Sequence, residues 1–244
     1  MPNIKLIIQY DGTNYHGWQT QSNAPSIQKI MEDKLSILLN HTITLYGSGR
    51  TDAGVHALGQ VANFLTDSKL KPGVIQRALN SLLPPDIVIR EADEVDEKFH
   101  ARYRAKSRVY QYLIWNERIP SPFFRRFTWH VTYRLDLEKM QKAALLLTGR
   151  HDFSSFQGSD RGETRTVREI LSLEIQKKKK LILFSVEANS FLKHMVRNIV
   201  GTLVEIGKGK TDLRVFKKVI EARDRTRAGP SAPAHGLFLR EVKY

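Results

Sequence analysis

The sequence predicts an α+β fold made of two ferredoxin-like halves. Strand and helix signals in the first part of the chain run in the order β-α-β-β-α-β. A second, looser succession of strands and helices follows it. Between them, Arg102 to Lys106 is a short basic stretch that serves as a seam, so the halves are expected at 1–104 and 105–244. No repeat exists at the level of the residues themselves; only the coarse order of elements recurs.

The elements follow in order. Ile4 to Tyr10 is rich in β-branched and aromatic residues and reads as a strand. Asp11-Gly12-Thr13-Asn14 is a turn signal. Ser26 is placed to cap a helix in which Ile27, Ile30, Met31, Leu35 and Leu38 recur at helical spacing. Thr42 to Tyr46 and Gln60 to Leu65 read as two strands. Pro72 opens a second helix, with Ile75, Ala78, Leu79 and Leu82 on one face, and Pro84-Pro85 ends it. Ile87-Val88-Ile89 begins the last strand of the half.

In the second half, Ser107 to Trp115 alternates as a strand, and Asn116 to Thr128 is a loop rich in proline and arginine. Asp136 caps a helix expected to end at Gly149. Val167 to Ile175 and Leu181 to Ala188 form a hairpin. Its Lys177-Lys178-Lys179-Lys180 tract suits RNA, but reads better as a solvated turn whose lysines discourage edge pairing. Phe191 to Ile206 is a strong helix, Asp212 caps a shorter one, and Gly236 to Val242 closes the chain as a strand.

Composition narrows the chemistry. The 244 residues carry 39 Lys plus Arg against 25 Asp plus Glu, a net charge of +14. That excess points to a polyanionic partner. No run approaches a membrane span, and Met1 to Lys5 lacks the build of a signal peptide. There is no cysteine, which excludes disulfides, thiolate metal sites and thiol nucleophiles. The expected compartment is the cytoplasm. The eight histidines show no paired ligand spacing. Only Asp11 and Asp67 accompany Asp52 as carboxylates for a two-metal nuclease. Gly47 to Gly54 lacks the Gly-Lys-Ser/Thr ending of a phosphate-binding loop. No metal and no cofactor are therefore expected.

The block Gly47-Ser48-Gly49-Arg50-Thr51-Asp52-Ala53-Gly54-Val55-His56-Ala57 places one carboxylate in a glycine-rich loop between strands. Arg50 lies two residues before Asp52, a spacing that puts both on one face if the strand continues. A guanidinium there would keep Asp52 ionised, fit to act as nucleophile or base. A tight turn in which Asp52 caps backbone amides explains the same residues. Tyr110 and Tyr112, alternating on one strand, offer an aromatic face for a flipped base or simply fill a half-buried one. Leu192, Met195, Val196, Ile199 and Leu203 form a buried stripe, with Lys193, His194, Arg197 and Asn198 on the other side. Phe99 to Lys106 interleaves aromatics with cations, a mix suited to phosphates and stacked bases. Arg125, Arg126, Arg161, Arg165 and Arg168 would extend such a surface.

Arg50-Thr51-Asp52-Ala53-Gly54-Val55-His56-Ala57 resembles the catalytic motif of the pseudouridine synthases, the TruA-type tRNA family in particular. The tracts around Tyr110 and Arg197, and Tyr10-Asp11-Gly12 and Tyr15-His16-Gly17-Trp18-Gln19, resemble further segments of that family. The resemblance covers nearly the whole chain. It implies the pseudouridine synthase fold, two ferredoxin-like halves sharing an extended antiparallel sheet with the active-site cleft between them. It implies an isomerase that converts uridine to pseudouridine at positions 38, 39 and 40 of the tRNA anticodon stem-loop. In that reading Asp52 is the nucleophile, Arg50 helps displace the target base, Tyr110 packs on the uracil, and Arg197 pairs with the aspartate. It also implies a homodimer. A non-catalytic RNA-binding protein would explain the charge equally well.

Overall fold

The computed structural model describes residues 1–158 and 164–244. The chain forms two compact units, 1–106 with 238–244 and 107–237. The division at Lys106 falls within the basic seam. Residues 238–244, expected with the second half, belong to the first.

In the first unit, β1 (Asn3–Tyr10), β3 (His56–Leu65) and β4 (Ile87–Val95) form the body of a sheet. β1 lies antiparallel between β4 and β3, and β2 (Tyr46–Gly47) pairs antiparallel with β3. The order β4-β1-β3-β2 is that of a ferredoxin-like β-α-β-β-α-β unit. Alternation along β1 buries Ile4, Leu6, Ile8 and Tyr10. Helices α1 (Ile27–Leu39) and α2 (Pro72–Leu82) add Ile27, Met31, Leu35, Ile75 and Leu79 to this core. Ser26 caps α1 by accepting the Lys29 N–H, and Pro72 occupies the first turn of α2. The closing strand β10 (Leu237–Lys243) runs parallel to β3 through Phe238 and Leu239.

Thr42 to Leu45 is not a strand. The segment alternates as expected, with Ile43 and Leu45 buried, but lies along α1. Ser36 Oγ accepts the Ile43 N–H, Glu32 Oε1 accepts the Leu45 N–H, and Gln28 Nε2 donates to the Leu45 carbonyl. Helix side chains thus take the hydrogen bonds a neighbouring strand would have taken.

The second unit is built on β5 (Ser107–Asn116), β9 (Leu181–Ala188), β8 (Val167–Lys178) and β7 (Gly149–Asp152), antiparallel neighbours in that order. A short β6 (Trp129–Val131) runs parallel to the end of β5. Helices α3 (Leu137–Leu145), α4 (Met195–Gly207) and α5 (Leu213–Ala222) complete it. Asp136 and Asp212 cap α3 and α5 as expected. However, α3 stops at Leu145, and Gly149, at φ 97°, opens β7 instead of closing the helix. Lys179, at φ 56°, turns the β8–β9 hairpin. Lys177 to Lys180 are all exposed, and Lys180 bonds to Glu117 at 2.7 Å. This is the solvated turn the sequence favours.

No helix among the described residues is long and apolar enough to cross a membrane.

Candidate active site

Asp52 lies on the loop between β2 and β3, partly exposed and fixed through its neighbours. At the loop's start, the Ser48 N–H bonds to the Val61 carbonyl, and the Ser48 hydroxyl bonds to Gln60 Oε1 at 2.7 Å. Gln60 Nε2 returns a bond to the Gly49 carbonyl, and both Ser48 and Gln60 are fully buried. The middle is held by the segment after β1. The Trp18 N–H donates to the Thr51 carbonyl, the Gly54 N–H donates to the Tyr15 carbonyl, and the Tyr10 hydroxyl meets Thr51 Oγ1 at 2.8 Å. Burial pushes the Tyr10 phenol far above its ordinary range, so it stays protonated. A turn closes from the Val55 N–H to the Asp52 carbonyl.

Two glycines explain how the strands of chain approach so closely. A Cβ on Gly12 would sit 2.0 Å from the Val55 carbonyl oxygen. One on Gly17 would sit 2.4 Å from that of Thr51, and Gly17 also has φ 91°. His56, buried and stacked on Phe238, finishes the loop. Its Nδ1 lies 3.0 Å from both the Gly12 N–H nitrogen and Asp11 Oδ1. A neutral Nδ1 accepts from Gly12, whereas a protonated one donates to Asp11; it cannot do both. Tyr15 donates a short hydrogen bond to Asp86. The Asp11 to Trp18 segment is therefore the scaffold of the Asp52 loop. Its turn residues and paired glycines were visible in the sequence, but nothing local told which backbone they would touch.

Arg50 is exposed on the same loop. Residues 48–55 are not strand, so the alternation that put Arg50 and Asp52 on one face does not operate here.

The other candidates belong to the second unit. Tyr110, on β5, is only 9% exposed, with its ring edge-on to Phe191 at 5.0 Å. Tyr112 does not share an open aromatic face with it. It is wholly buried, donates to the Pro233 carbonyl, and meets Trp129 and Phe184 edge-on.

Arg197 is half-buried on the first turns of α4. Its Nε donates to the Ala232 carbonyl at 2.8 Å, and the Ala232 N–H bonds back to the Arg197 carbonyl. The helix begins at Met195 rather than Phe191, because His194 takes a left-handed backbone with φ 59°. Asn198 is not on a solvent face. It is fully buried, donates to the Phe156 carbonyl and accepts from Arg225 and Ser231.

Of the outlying arginines, Arg125, Arg126 and Arg165 are exposed. Arg168 is buried, with Nη1 bonded to the carbonyls of Arg165 and Val167, so it does not extend a surface. Arg161 lies outside the described residues. Among the described residues no group of three His, Asp or Glu side chains is placed to hold a metal ion.

A family model described as tRNA pseudouridine synthase matches residues 6–104 and 143–244. The chain is 49% identical over 244 residues to tRNA pseudouridine synthase A of Acetivibrio thermocellus, covering 100% of both chains. It is 47% identical over 245 residues to the protein of that name in Ruminiclostridium cellulolyticum, and 44% identical over 244 residues to that of Thermoanaerobacter pseudethanolicus, again covering 100% of each.

Proposed function

The chain belongs to the tRNA pseudouridine synthase family, and from that premise we propose that it isomerises uridines 38, 39 and 40 of the tRNA anticodon stem-loop, with Asp52 as nucleophile. The observation that carries the assignment is the Asp52 loop. Its backbone is tied down at Ser48, Gly49, Thr51 and Gly54, while the Asp52 side chain stays partly exposed. A carboxylate on a loop fixed by buried partners is preorganised for attack.

The reaction breaks the N-glycosidic bond of uridine, turns the base and joins its C5 to the same sugar carbon. The C5 hydrogen leaves as a proton, and no electrons are gained or lost. Asp52 carries the covalent intermediate, on the sugar or on the base, and is released when the product forms. The target must leave the stack first, at a cost of a few kcal/mol. We assign Arg50 to displacing the base, Tyr110 to packing against the uracil, and Arg197 to orienting Asp52. The family resemblance supports these roles, together with a homodimer as the working unit and the cytoplasm as the compartment.

The test is tritium release from a tRNA transcript labelled at uridine C5, with EDTA present. Release by the wild type and none by Asp52→Asn is expected. No release by a folded wild type that still binds the transcript would favour a non-catalytic RNA-binding protein.

A further inference from the structure

The first unit carries an exposed aromatic surface apart from the residues assigned above to the reaction. Tyr46, His100 and Tyr103 form a continuous row. The Tyr46 and His100 rings are 5.1 Å apart and those of His100 and Tyr103 are 4.3 Å apart. Tyr103 is 77% exposed and Tyr46 42%. The Arg102 guanidinium lies over the Tyr103 ring at 5.9 Å, and Arg102, Arg104 and Lys106 are all exposed.

A lone exposed tyrosine needs no explanation. This row differs because the loop bearing it is fixed from beneath. Asn3 and Asn63, both buried, bond to each other at 2.9 Å. Asn3 Nδ2 donates to the carbonyls of Asp96 and Phe99, and Asn63 Oδ1 accepts the Ala101 N–H. Tyr244 donates to the Ala101 carbonyl and packs its ring on Phe99 at 5.0 Å. The Arg102 N–H bonds to His100 Nδ1. Two buried amides and the chain's last residue thus hold Phe99 to Arg102 in one geometry. Burial, with Arg102 alongside, holds the His100 imidazole below its usual pKa, which leaves a neutral ring in the row at neutral pH.

We propose that Tyr103, backed by His100 and Tyr46, is a stacking platform for an unpaired base of the bound RNA, with Arg102 and Arg104 taking the adjoining phosphates. Rigid rings carry little ordering cost on binding, and every base has a face to stack. The cations match a polyanion, and the whole chain, at +14, does too. Tyr46 also begins β2, six residues before Asp52, so the platform flanks the loop that carries the carboxylate. The inference rests on RNA being the substrate.

The test compares binding of an unmodified tRNA transcript and of a fully paired RNA duplex of similar length. Tyr103→Ala and Tyr103→Leu are expected to weaken transcript binding about tenfold or more. Tyr103→Trp should restore it, and duplex binding should not respond. Equal transcript affinity in wild type and Tyr103→Ala overturns the platform, as does a wild type that binds no RNA. A change in the sedimentation of the free protein on Tyr103→Ala also overturns it, in favour of a surface between copies of this chain. Tritium release is read in parallel. Weakened binding by Tyr103→Ala with no release by the wild type would leave the platform standing and remove the isomerase.

Discussion

Asp52 is the one carboxylate in the loop between β2 and β3, and the bonds of Ser48, Thr51 and Gln60 hold the backbone on either side of it. Replacing Asp52 with Asn keeps the shape and removes the proposed nucleophile. Turnover should fall by at least about a thousandfold while tRNA affinity stays within about threefold. Single-turnover tritium release and filter binding measure the two. Tyr10 tests positioning separately. Its hydroxyl is the buried partner of Thr51, next to Asp52. Tyr10→Phe leaves the Thr51 hydroxyl without that partner and should cost about 1 kcal/mol of stability. It should also lower kcat with KM unchanged, because the loop loses a fixed point and not a substrate contact. A variant that melts lower but keeps kcat would assign the bond to the fold alone. The glycine-rich loop that bears Asp52 and Arg50 was legible in the sequence because its residues are contiguous. The contact of Tyr10 with Thr51 was not legible, since a hydrogen bond to a residue far along the chain leaves no local trace.

At the scale of elements, the Asp52 loop is held by the Asp11 to Trp18 segment, through approaches that tolerate no side chain. Gly17→Ala would force a Cβ to within 2.4 Å of the Thr51 carbonyl oxygen at a left-handed φ. The expected loss is about 1–3 kcal/mol, read as a lower Tm, with a parallel fall in kcat at saturating tRNA. Gly49→Ala in the same loop is a control, since a Cβ there meets nothing within 4 Å. Helix starts were legible wherever a side-chain cap set them, as at Ser26, Asp136 and Asp212. They were not legible at α4, where a left-handed His194 sets the boundary without a capping side chain. Strand signals failed at Thr42 to Leu45 because alternation reports burial, not pairing. The partner there is a helix side-chain row. β6 and β7 span only three and four residues, too few for a period to show.

For the whole molecule, the first unit runs to Lys106 and takes up β10 from the far end of the chain, a return that nothing local in the sequence marks. Its pairing with β3 joins residues 182 positions apart (238 − 56), and nothing in Phe238 or Leu239 names His56 and Ala57 as partners. Charge, by contrast, is a property of the entire sequence and needs no fold to be read. A chain at +14 that binds tRNA gains affinity by releasing counterions from phosphates. The logarithm of the association constant should therefore fall linearly with the logarithm of salt concentration. Neutralising about six to ten phosphates would cost about 10³ to 10⁵ in affinity between 50 and 200 mM salt. Chemistry at Asp52 should respond far less, because a carboxylate covered by bound RNA is screened little by mobile ions. Equilibrium binding across a salt series, with single-turnover rates at saturating enzyme, separates the two. A rate constant that falls as steeply as the affinity would mean that ions act on the bound complex, and that phosphate contacts shape the reacting geometry itself.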